Sequence, residues 1–188
     1  EFQGLLKSTN NIMNIINTID MLMYPVKFRY GIGVGPITST IQRNKSNEVD
    51  GPAYHRARNM ISCIENNERS YQKPYTTMMI ESEDFEDDLL NANFSLISTL
   101  KQSWTHRQTE IVYVYLSNEK NQYNTATALN VQQSTINRLL SAASYYTYDY
   151  AMALIINSFS QKEVDEVVQT INDNVTDWTS FGGLLFSD

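Results

Sequence analysis

Residues 122–143, Gln122-Tyr-Asn-Thr-Ala-Thr-Ala-Leu-Asn-Val-Gln-Gln-Ser-Thr-Ile-Asn-Arg-Leu-Leu-Ser-Ala-Ala143, read as a helix-turn-helix whose second helix runs to about residue 144. Ala126 stands where the two helices meet and only a small side chain fits. Leu129 closes the first helix onto the second. Asn130 takes the tight turn, where a left-handed backbone is needed and Asn is the usual substitute for Gly. Val131 and Ile136 have the spacing of a hydrophobic staple around Gln132 as cap residue. Ile136, Leu139, Leu140 and Ala143 form an apolar stripe, and Gln133, Ser134, Asn137, Arg138 and Ser141 point the other way. On duplex DNA, Gln132, Gln133 and Asn137 would reach base edges, with Thr135 or Arg138 on phosphate.

Composition limits that reading. The 188 residues carry a net charge of −7, which argues against a protein that wraps nucleic acid. Residues 81–100 hold six acidic residues and no Lys or Arg, and residues 151–188 are acidic too, so both flanks of a nearly neutral motif repel phosphate. Counterion release rewards clustered cations, and a neutral reader gains little from it. A monomer is therefore expected to bind DNA weakly, and a homodimer or a partner protein would be needed for tight binding. No apolar run approaches the roughly 18 residues of a membrane span and no leader pattern opens the chain, so a cytoplasmic protein with no membrane contact is expected. The one cysteine, Cys63, has no internal disulfide partner and reads as a small buried hydrophobe on an apolar helical face.

Working outward, the fold class is α+β: a partial α/β domain over residues 1–82, then an all-helical domain over 83–188. Glu1 to Leu6 reads as the tail of a strand. A helix follows from Ser8 or Thr9 to about Met23, with Ile12, Ile15, Ile16, Ile19, Leu22 and Met23 at helical spacing, and Pro25 ends it. Val26 to Val34 alternates as a strand, with Gly31, Gly33 and Gly35 on one face. Three glycines there leave an empty strip for a helix backbone or for a ligand. Asp50-Gly51-Pro52 starts a helix to about Asn66, and Tyr75 to Ile80 is a short strand. The acidic cluster after Glu81 leads into a helix that ends near Trp104. Thr105-His-Arg-Gln108 is a capping box for the next helix. Residues 145–159 continue helically, residues 161–172 form a last amphipathic helix, and no strand is expected after Phe85.

The opening Glu1-Phe-Gln-Gly-Leu-Leu-Lys-Ser8, the strand Arg29-Tyr-Gly-Ile-Gly-Val-Gly35 and the block Asp50-Gly-Pro-Ala-Tyr-His-Arg-Ala-Arg58 resemble the SatD family of bacterial proteins. The resemblance runs to about Ala153 and implies no defined activity. It also implies that a strand and a helix ordinarily precede Glu1, the strand pairing with residues 26–34. The same blocks are more distantly similar to nucleotide cyclase and GGDEF domains, which implies a cyclase-like, ferredoxin-like fold for residues 1–82. One metal-holding carboxylate of that pattern would precede residue 1, and His55 and Arg58 are out of register with it. The expectation is therefore a chain that is not an enzyme, with no catalytic residues, no metal and no cofactor.

His55, Arg56 and Arg58, following Asp50 at a helix start, are the residue types that hold a phosphate, and equally those of an exposed, salt-bridged helix face. The two histidines are too few and too far apart for a zinc site. Tyr145, Tyr146, Tyr148 and Tyr150 read as helix packing or a subunit contact in preference to a stacking platform, since no cation lies near them. Three functional readings stand: a regulatory protein that docks on duplex DNA, an interaction module that holds a protein partner or its own twin, and a degenerate nucleotide-binding domain.

Overall fold

The computed structural model describes residues 2–39, 50–70, 73–83 and 86–160. The helix expected at 161–172 and the tail beyond it lie outside the described residues. The chain forms two compact units, residues 1–18 with 152–188, and residues 19–151. The boundary expected at 82–83 falls inside the second of these.

The first unit contains the start of α1 (Ile12–Met23) and the end of α7 (residues 145–160). Residues 2–6 are not a strand, and Phe2, Leu5 and Leu6 are exposed. An extended segment needs a neighbour for its backbone groups, and the one sheet among the described residues does not include it. Thr9 stands at the start of α1: its carbonyl accepts from the Ile12 N–H at 3.1 Å, and its hydroxyl donates to the Phe159 carbonyl at 3.5 Å. The buried line of α1 is Met13 and Ile16, not the expected Ile15, Leu22 and Met23, which are exposed. Asp20, one turn beyond Ile16, explains the shift. It is held by Lys101 (2.6 Å) and by the Tyr30 hydroxyl (2.7 Å), so a carboxylate occupies the position that apolar counting gives to a core residue.

In the second unit, β1 (Tyr30–Gly33) pairs in parallel with β2 (Met78–Glu81), with Tyr30 opposite Met78 and Ile32 opposite Ile80. Parallel strands need a crossover, and α2 (Pro52–Glu68) supplies it. Both strands are shorter than the sequence pattern. Val26 is still in the turn that leaves α1, its N–H bonded to the Met23 carbonyl. Before β2, the Thr76 hydroxyl bonds the backbone N–H and carbonyl of Met78, diverting the chain from the ladder.

The glycine strip is filled by protein. A Cβ on Gly33 would lie 1.9 Å from the Ala53 carbonyl oxygen, and one on Gly31 would lie 2.2 Å from that of Ala57. The backbone of α2 therefore rests directly on β1, and no space is left for a ligand. Ile64 of α2 is fully buried, whereas Cys63 beside it is only half-buried, one position off the inward line.

α3 (Asp87–Gln102) closes the outer edge of β2 with side chains. The Asn91 amide donates to the Ile80 carbonyl (2.9 Å) and accepts from the Ile80 N–H (2.8 Å). Ser98, itself buried, accepts from the Thr77 N–H, and Ser95 donates to the Tyr75 carbonyl. An edge satisfied in this way offers nothing to a further strand. Phe94 is fully buried between these groups and joins Ile80, Leu90 and Ile97 in the core.

Residues 101–160 contain no strand. α4 (His106–Ser117) starts with the expected capping box: Thr105 accepts from the Gln108 N–H while the Gln108 side chain accepts from the Thr105 N–H. Trp104, Ile111, Val112, Tyr145 and Tyr148 are all buried. The Trp104 indole donates to the Ala143 carbonyl at 2.7 Å and meets Tyr148 edge-on at 5.3 Å, and Tyr115 meets Tyr145 likewise. Burial, and then Asp149, push the Tyr145 phenol far above the ordinary tyrosine range. Two of the four clustered tyrosines are thus core, while Tyr146 and Tyr150 are exposed.

Candidate nucleic-acid interface

The candidate surface is carried by α5 (Gln122–Ala128) and α6 (Gln133–Ala142). Asn121 starts α5, its side chain accepting from the N–H groups of Tyr123 (2.9 Å) and Asn124 (3.1 Å). The helix ends in a Schellman turn: the Val131 N–H donates to the Ala126 carbonyl and the Asn130 N–H to that of Thr127. Asn130 has φ 51°, the left-handed conformation that this turn requires. Ala126 and Thr125 are buried, and the Thr125 hydroxyl is satisfied by the Asn121 carbonyl at 2.7 Å.

α6 then shows two faces. Ile136 and Leu140 are fully buried and Ala143 nearly so, while Leu139 is half-buried. Gln132, the cap residue, is exposed and makes no cap bond with its side chain. Ser134, Asn137 and Arg138 are exposed, and Gln133 and Thr135 are half-buried. The five residues expected to touch DNA therefore lie on the cap and first two turns of one helix, off the buried line.

Their mutual bonding was not legible in the sequence. Gln122, on the first turn of α5, accepts from the Gln133 side-chain amide. Its own amide donates to the Tyr146 hydroxyl at 2.9 Å and reaches the Asn137 oxygen at 3.5 Å. Gln122 and Tyr146 thus belong to the polar surface of α6, although they sit on α5 and α7. No sequence signal marks an amide eleven residues upstream as a partner, because the pairing depends on how α5 crosses α6.

Charge is sparse here. Lys120 is paired with Asp149 (2.7 Å) and Arg107 with Glu110 (2.5 Å). Among the described residues 105–150, Arg138 is the one cation with no carboxylate within 4.0 Å.

The second candidate group is not drawn to one point. His55 lies 3.1 Å from Asp50, both exposed. Asp50 also accepts from the Gly51 N–H, so the start of α2 already carries a carboxylate. The Arg56 guanidinium is spent on the Val34 carbonyl and on Glu83. Arg58 is exposed. Among the described residues no group of three His, Cys, Asp or Glu side chains could hold a metal, and no helix is long and apolar enough to cross a membrane.

The sequence model of the SatD family matches residues 1–156. This chain belongs to the SatD family. The match takes in every described element, from the N-terminal segment through α6 and most of α7. No curated protein matches the chain, and no solved structure does.

Proposed function

We propose that this SatD-family chain is a non-enzymatic regulatory protein that binds duplex DNA, with α5 and α6 as a helix-turn-helix and α6 in the major groove. The observation that supports it is the polar row Gln132, Gln133, Asn137 and Arg138 on α6, set off the buried line of Ile136 and Leu140 and entered through a tight Asn130 turn. A helix in the major groove reads bases with the residues of its first turns, and amide side chains suit adenine. Arg138 adds one salt-sensitive phosphate contact, and a dimer or a partner protein supplies the remaining affinity.

The test is a titration of a random duplex pool at low salt with the wild-type chain and with a Gln133→Ala, Arg138→Ala double variant. Binding by the wild type and its loss in the variant supports the reading. Equal binding by both, or none by either at high micromolar concentration, removes DNA from it. The scarcity of free cations favours a second reading, in which the same face of α6 holds a protein partner. A ligand-holding α/β domain has less support, because the backbone of α2 fills the strip along Gly31 and Gly33 and Arg56 is already engaged.

A further inference from the structure

We infer that Gln122 is a positioning residue for base reading: it fixes the Gln133 amide, with Tyr146 behind it, so that Gln133 meets the major-groove edge of an adenine. The inference rests on the DNA-binding reading above and adds which base α6 prefers and what prepares it to do so.

A glutamine has three rotatable bonds and an amide that presents a donor or an acceptor depending on its flip. Free on a helix surface, it samples many orientations, and fixing one on binding costs affinity. Gln133 is not free. One of its amide N–H groups donates to the Gln122 oxygen. The orientation of Gln122 is set in turn by its opposite end, where the amide donates to the Tyr146 hydroxyl and approaches the Asn137 oxygen. Tyr146 sits on α7, so three helices fix one side chain.

The remaining valences of Gln133 decide the ligand. A primary amide has two N–H donors and a carbonyl oxygen with two lone pairs. With one N–H taken by Gln122, Gln133 keeps one donor and its oxygen for a ligand. Adenine shows the complement in the major groove, the N7 acceptor beside the N6 amino donor. Guanine shows two acceptors there and leaves the glutamine oxygen facing another oxygen. Gln133 is half-buried beside exposed Asn137 and Arg138, on the face that the DNA-binding reading turns toward the groove.

The experiment uses the full chain and the duplex recovered from the random pool, together with the same duplex with its contacted A·T pair changed to G·C. Dissociation constants are measured for both duplexes and for an unrelated duplex. Gln133→Ala is expected to abolish discrimination between the first two. Gln122→Ala should lower that discrimination about tenfold. Adding Gln122→Ala to Gln133→Ala should cost nothing further. Tyr146→Phe, at an exposed position where loss of a hydroxyl does not threaten folding, should act in the same direction more weakly. A Gln122→Ala variant that discriminates like the wild type, or losses that add in the double variant, overturns the positioning role and leaves DNA binding standing. A wild type that recovers no duplex overturns both.

Discussion

The contact of α2 with β1 and the contact of α5 with α6 are made by opposite means. At β1 the closeness is made by absence. Gly31 and Gly33 have no side chain where the carbonyls of Ala57 and Ala53 lie, and those carbonyls belong to residues twenty or more positions away. At α5 and α6 the packing is set locally: Ala126 buried, a Schellman turn, Asn130 left-handed, and the next helix starting three residues on. The first arrangement fills itself and leaves no opening. The second buries Ile136 and Leu140 and leaves a polar face outward. A close contact that depends on distant residues should fail abruptly when altered, and one built from local turns should fail by increments.

The largest expected effect is therefore Gly33→Ala. The added carbon would lie 1.9 Å from the Ala53 carbonyl oxygen and 2.5 Å from the Ala57 nitrogen, both backbone atoms that cannot swing aside. We expect a loss of about 3 kcal/mol or more, at the top of the overpacking range, seen as a lower urea midpoint or as failure to fold. Gly4→Ala, where nothing lies within 4 Å, should stay within about 0.5 kcal/mol of wild type. Equal effects at the two glycines would break the comparison.

Next comes Asn130→Val. At φ 51° a β-branched residue is strained, and the expected cost is about 1–2 kcal/mol. Asn130→Gly should fall within a few tenths of wild type. Thermal unfolding of the two variants separates turn conformation from side-chain contact. Thr105→Ala is smaller again. It removes one half of the capping box at α4 and should cost about 1 kcal/mol by the same measurement.

These positions also mark what the sequence discloses. Caps, turns and helical stripes are local, so Thr105, Asn130 and the Ile136–Leu140 line are readable from spacing alone. The glycine strip announces that something approaches closely, but not what, because the partner is set by the crossover through α2. Asp20 is the converse case. It interrupts the buried line of α1 because Lys101 and Tyr30, distant in sequence, neutralise and bond it. Glu119 and Lys120 adopt left-handed backbone at φ 53° and 58° with no glycine or asparagine to signal it. There the turn that ends α4 overrides residue preference: the Lys120 N–H reaches the Tyr115 carbonyl, and its ammonium is held by Asp149. The Gln122 network is hidden for the same reason as the glycine partner, since it crosses between helices. The polar residues of α6 were legible one by one, and their coupling was not.

The smallest effect sharpens the comparison from the other side. The chain entering β1 is also joined to α2 by an ion pair: the Arg29 guanidinium, one residue before the strand, bonds Glu68 at 2.5 and 2.9 Å, at the end of α2 opposite the Gly33 contact. If charge held this pair of elements together, removing it would rival Gly33→Ala. The Arg29 hydrogen bond, ahead of its charge, holds the Glu68 carboxyl below its ordinary value. A carboxyl with a depressed folded pKa stabilises the fold above its unfolded pKa, and that stability is lost as pH falls through the folded value. The window is acidic, below about pH 4.5. The side chains of Arg29 and Glu68 are 46 and 29% exposed, so solvent screening leaves little of the shift as stability. We expect Glu68→Gln to cost no more than about 0.5 kcal/mol at neutral pH. The difference from wild type should vanish at about 1 M salt, where the screening length is about 3 Å, and also in acid, where the wild-type carboxyl is protonated. Urea unfolding at neutral and acid pH, with and without salt, measures all three. A loss above about 2 kcal/mol that persists in salt would give the ion pair the role assigned here to the two glycines.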